Sequence, residues 1–108
     1  MIAGFMGGQA AEKVLLYMAN YGEGYAQGIA NTFQESLSAI QRQLQKFERA
    51  GLLVSQLKGR TRLYLWNPRF PLKSELLALL RKALDLLPDA EKKAYFRQRT
   101  RPRRAGKP

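Results

Sequence analysis

The feature that most constrains this chain is a single amphipathic segment with marked ends. Across residues 37–50, Leu37, Ile40, Leu44 and Phe47 recur at steps of 3, 4 and 3. That spacing lines one face of an α-helix of about 3.6 residues per turn. Ser36 stands where an N-cap is wanted. Gly51 follows where a left-handed C-terminal residue ends many helices. The opposite face carries Ser38, Gln41, Arg42 and Gln45, with Lys46 or Arg49 beside them. The stripe predicts a buried side and the rest an outward, donor-rich one. Directly after Gly51 come two apolar runs, Leu52 to Leu57 and Leu63 to Trp66, around Lys58-Gly59-Arg60-Thr61. β-Branched and aromatic residues flanking a glycine-containing turn predict a hairpin with a cationic tip at Lys58, Arg60 and Arg62. Tyr64 and Trp66, two apart, are expected on one strand face and in the core.

The flanking segments complete an order. Residues 1–8 hold three glycines without period and are expected to be a flexible leader. From Gln9, the residues Val14, Leu15, Met18 and Ala19 recur at helical spacing until Tyr21-Gly22-Glu23-Gly24 stops them. A short helix is predicted from about Tyr25 to Phe33, with Ile29 and Phe33 on one face, then a polar turn within Asn31 to Glu35. Beyond the hairpin, Asn67-Pro68-Arg69-Phe70-Pro71 breaks the strand, and Pro71 suits a first helical turn. A leucine-rich helix then runs from Leu72 to Leu87. It carries one stripe at Leu72, Leu76, Leu79 and Ala83, and another at Leu77, Leu80, Leu84 and Leu87. Apolar over so much of its girth, it needs covering on more than one side. Leu72, Leu76, Leu77, Leu80, Leu84 and Leu87 are therefore expected to join the core and a seam with a second copy. After Pro88, Asp89 can cap a short helix to about Gln98, and residues 99–108 read as a basic, disordered tail.

The predicted class is mainly α with a small β-hairpin: helix, helix, helix, hairpin, helix. A short helix meeting a polar-faced one through a tight turn, followed by a cationic hairpin, is the layout of a winged helix-turn-helix, with its DNA-binding domain over residues 9–70 and dimerisation helices over 71–98. The major groove of B-DNA admits one α-helix, and a hairpin can reach the adjoining backbone or minor groove.

Composition narrows the chemistry. The chain has 108 residues and a net charge of +11, without cysteine or histidine. Disulfides and ordinary zinc sites are excluded, and so are imidazole acid–base and thiol nucleophile chemistry. No catalytic constellation assembles, and neither a cofactor nor a metal is expected. Through Glu91 there are 11 Lys/Arg and 8 Asp/Glu, whereas the remaining 17 residues hold 8 Lys/Arg and no acid. Such a block suits a polyanion, nucleic acid before an anionic membrane surface. No apolar run approaches the roughly 18–20 residues that span a bilayer, and residues 1–9 lack the basic start of a signal peptide. The expected location is cytoplasmic, with the nucleoid.

The stretch YAQGIANTFQESLSAIQRQLQKFERAGLLVSQLKGRTRLYLWN, residues 25–67, resembles the winged-helix repressors of the ArsR-like and MarR-like kind. Ser36, Leu44, Phe47, Ala50, Gly51 and Leu52 fill the recognition-helix pattern of those families, and Gly59, Arg60, Tyr64 and Trp66 fill the wing pattern. The resemblance implies a homodimer on a palindromic duplex site, acting as a transcriptional regulator, with repression the expected sign. It does not carry metal or thiol sensing, since the cysteines and histidines of such sensors are missing, and it names no small-molecule effector. The segment NPRFPLKSELLALLRKAL also resembles winged helices joined to nucleotidyltransferase-type domains, for which these residues leave no room. On residue grounds, Ser36, Ser38, Gln41, Arg42, Gln45, Lys46, Lys58, Arg60 and Arg62 are the expected double-stranded DNA contacts. The alternative is a winged-helix module that binds protein or RNA without reading DNA.

Overall fold

Helix α4, Leu37–Arg49, is held at both ends by local chemistry. At its start the Ser36 hydroxyl accepts a hydrogen bond from the Ala39 N–H at 3.2 Å, satisfying one of the helix's orphan donors. At its end Gly51, at φ +90°, donates to the Glu48 carbonyl at 3.1 Å, and Leu52 donates to that of Phe47 at 2.9 Å. This paired arrangement closes the last turn. A side chain at residue 51 would meet open space, so its cost would be conformational rather than steric. Gly51→Ala is expected to lower stability by about 1–2 kcal/mol, and Gly51→Asn by less, in urea titrations.

The computed structural model describes residues 2–96. Their elements in order are α1 Ala3–Met6, α2 Gln9–Tyr21, β1 Glu23–Tyr25, α3 Ala26–Phe33, α4, β2 Leu53–Lys58, β3 Thr61–Trp66, α5 Lys73–Asp85 and α6 Asp89–Tyr95. The fold is mainly helical with one small antiparallel sheet. Its strand order is β1-β3-β2, with Tyr64 between Gly24 and Ser55. The expected two-stranded hairpin is thus a three-stranded sheet. Glu23–Tyr25, of which Glu23 and Gly24 were expected in the helix stop and Tyr25 at the start of the next helix, takes the free edge of β3. The β2–β3 turn is two residues, Gly59 and Arg60, with positive φ at the glycine alone, +64°. That matches the hairpin turns that place glycine first.

The core gathers around α2. Ala11, Val14, Leu15 and Met18 are buried against Ile40, Leu44 and Phe47 of α4, Leu53, Tyr64 and Trp66 of the sheet, and Leu80, Ala83 and Leu84 of α5. The Trp66 indole donates to the Met18 carbonyl at 3.0 Å, so this buried ring leaves no unpaired donor. Tyr95 and Phe96 close the far side against Phe33, at ring distances of 5.1 and 5.9 Å. The Tyr21 hydroxyl donates to the Tyr95 carbonyl.

Three sequence expectations change here. The flexible leader is structured from residue 2: Ile2 is buried, its N–H reaches the Glu12 carboxylate at 2.8 Å, and Ala3–Met6 forms a helical turn. Gly7 and Gly8, both at positive φ, turn this segment back onto α2. Leu37, expected in the core stripe, is 37% exposed; standing at the first position of α4, it overhangs the edge of the core. In α5, Leu80 and Leu84, expected at a seam between copies, lie in the chain's own core, and Leu76, Leu77 and Leu87 lean on it half-buried. The exposed line is instead Leu72, Leu79 and Leu86, at 60%, 41% and 57%. Met1, the end of the expected final helix (residues 97–98) and the basic tail lie outside the described residues.

Candidate nucleic-acid interface

The turn between α3 and α4 sets how α4 is presented. Gln34 adopts a left-handed conformation at φ +57°, and Glu35 N–H donates to the Ala30 carbonyl at 3.0 Å, which stops α3. The Glu35 carboxylate then pairs with Lys13 of α2, tying the turn to the central helix. With Ile40, Leu44 and Phe47 inward, Ser38, Gln41, Arg42 and Gln45 are all exposed on the other side, as expected. Arg49, one turn beyond Gln45, extends that face and is exposed too. Ser36 is exposed, but its hydroxyl oxygen is engaged as the cap.

Lys46 departs from this set. It is half-buried, and its ammonium lies 5.0 Å from the Phe47 ring centroid. The ammonium also lies so close to Gly7 that an added Cβ there would be 2.8 Å from it. Five residues past Gln41, Lys46 has rotated off the shared face onto the flank beneath α1.

The hairpin supplies the second wall. Lys58 and Arg60 are exposed at its tip. Arg62 lies within β3 opposite Leu57, and its guanidinium donates to the Ser55 hydroxyl at 3.0 Å. That hydroxyl in turn donates to the Glu48 carboxylate at 2.7 Å. This relay joins the last turn of α4 to both strands and fixes the hairpin's angle against the helix. Arg62 is therefore a held cation, while Arg42, Lys58 and Arg60 have no acidic partner among the described residues. Beneath the relay, burial pushes the Tyr64 hydroxyl above its ordinary pKa; Glu48 adds to the rise and Arg62 opposes it.

Between helix and hairpin runs an open groove of about 370 Å³. Leu37, Gln41 and Gln45 form one side, Leu57, Arg60, Thr61, Arg62 and Tyr64 the other, and Tyr25, Ala26 and Gln27 the end. Sequence reasoning missed Leu37, Leu57, Tyr25 and Gln27. Strand alternation could have found Leu57, which shares a sheet face with Ser55 and lies across from Arg62. Tyr25 had no such signal, because β1 exists only through its pairing with β3.

Compared with known protein families and with curated proteins, the chain matches none. No helix among the described residues is long and apolar enough to cross a membrane.

Proposed function

We propose that this chain is a winged helix-turn-helix protein that binds double-stranded DNA, with α4 in the major groove and the β2–β3 tip on the adjoining backbone or minor groove. One observation carries the reading: the exposed amides of Gln41 and Gln45 line one groove with Arg60 and Arg62, and two further exposed cations, Arg42 on the same helix and Lys58 beside the same hairpin tip, flank it in sequence. The element order supports it. The α3–turn–α4 unit followed by a hairpin is the layout that presents a reading helix beside a wing. Arg42 suits a two-point contact to guanine and the glutamines suit adenine, while Lys58 and Arg60 suit phosphate.

The working form we propose is a homodimeric transcriptional regulator on a two-fold site, its copies joined through the leucines that α5 leaves exposed. Two reading helices would then face half-sites about one helical turn apart or a multiple of it.

Selection from a random duplex pool at about 150 mM salt tests the proposal. A recovered site should bind well above scrambled duplex. Arg42→Ala should lose about 1–3 kcal/mol of discrimination at one G·C position. Lys58→Ala with Arg60→Ala should weaken all duplexes alike and flatten the dependence of log affinity on log salt by up to about 0.9 for each lost phosphate contact. Recovery of no preferred duplex, or stronger binding to structured RNA, would sink the DNA reading.

A further inference from the structure

Two leucines on the groove are out of character with a surface that contacts DNA through polar and charged groups alone. Leu37 opens the first turn of α4 at 37% exposure, and Leu57 ends the core-side face of β2 at 63%. Both line the same groove, with Gln41 and Arg62 beside them. Neither belongs to the buried cluster, so the fold gains little from their being apolar. They make an oily spot within a hydrogen-bonding and cationic frame.

The location decides what would cover it. Base contacts concentrate at the N-terminal part of a reading helix, which is where Leu37 stands. Of the base-edge groups presented in the major groove, the 5-methyl of thymine is the apolar one; the others are hydrogen-bond donors and acceptors. A leucine placed against it removes apolar surface of both partners from water, whereas against a donor or acceptor it would leave that group unpaired.

We propose that Leu37 is a specificity-determining residue that recognises a thymine methyl in the bound site, with Leu57 as the opposite wall of the methyl's pocket. The inference rests on the DNA-binding reading above and adds the base feature that this groove selects. Gln41 follows Leu37 by one helical turn and faces the same groove. It is placed to bond the adenine paired with that thymine or one next to it.

The test uses the full chain and the duplex recovered by selection. Each thymine is replaced in turn by deoxyuridine, which removes the methyl and nothing else. At one position per half-site the wild-type protein should lose about fourfold in affinity, the effect of one buried methyl group. Leu37→Ala should lose a similar factor on the thymine duplex and nothing further on the deoxyuridine duplex, because each change removes the same contact. Leu37→Met should keep most of the methyl preference. Leu37 is exposed, so the alanine variant should remain folded, which circular dichroism checks. The proposal is overturned if no deoxyuridine position matters, or if the two losses multiply in full. A selection that recovers no duplex overturns it together with the DNA reading, whereas a neutral methyl leaves that reading standing.

Discussion

Leu44→Ala should lower the free energy of unfolding by about 2–5 kcal/mol, while Leu37→Ala, on the same helix and in the same sequence stripe, should change it by less than about 0.5 kcal/mol. Leu44 is wholly buried among Ile40, Phe47 and the α2 residues, so its loss leaves a cavity as well as removing transfer energy. A domain of this size has a total stability of about 5–15 kcal/mol, so the first variant would approach or cross its unfolding threshold near physiological temperature. Leu37 stands at the rim, 37% exposed, so its loss opens onto solvent rather than leaving a closed cavity. Urea denaturation followed by circular dichroism reads both, with an unchanged slope confirming that only stability moved. The binding effects should run the other way. Leu37→Ala should weaken a thymine-containing site at full folding, whereas Leu44→Ala should bind normally once corrected for its unfolded fraction. Equal destabilisation by the two variants would place Leu37 in the core and remove the groove's apolar wall.

A single cysteine at position 79 should cross-link the proposed dimer almost completely under mild oxidation, and one at position 72 should not. The native chain has no cysteine, so every disulfide observed would report the introduced residue. The exposed line along α5 and its two caps sets the pairing geometry. Leu72, Leu79 and Leu86 are each seven residues apart, and Glu75 and Lys82 flank them on one side, both exposed. Two such helices paired in parallel would place these flanks on opposite edges of the seam, so that neither Glu75 nor Lys82 would meet its counterpart or an opposite charge from this pair across it. Paired antiparallel about Leu79, they would set Leu72 against the second copy's Leu86 and Glu75 near the second copy's Lys82. Charge therefore selects the antiparallel arrangement. Position 79 then lies on the two-fold axis, within disulfide reach of its counterpart, while the two copies of position 72 lie at opposite ends. Leu79→Glu, which brings two carboxylates together on that axis, should shift the protein to monomer in sedimentation experiments. Efficient linkage at 72 would mean parallel pairing, and a monomeric wild type at micromolar concentration would end the dimer proposal.

Several elements were legible because their causes are local. Ser36 needs only the N–H three residues on, and Gly51 only the carbonyls of the turn before it. Ile40, Leu44 and Phe47 share a face through helix geometry alone. The Lys58–Thr61 turn follows from one glycine between two β-forming runs. The same short-range rules placed Ser38, Gln41, Arg42 and Gln45 outward. Where a partner far along the chain mattered, they fell short. Lys46 differs from Arg49 because the segment at Gly7 folds over it. Arg62 is held rather than free because Ser55 and Glu48 meet it from two other elements. The apolar residues of α5 outnumber what one stripe requires, and the sequence did not say which of them α2 would take.

Periodicity, capping and turn chemistry settled the kinds of element and their order, because each acts within a few residues. The meeting of remote segments settled the third strand, the groove between α4 and the hairpin, and the set of leucines left facing solvent. Those features depend on which surfaces the core consumes, and contact between segments far apart along the chain leaves no pattern in either segment alone.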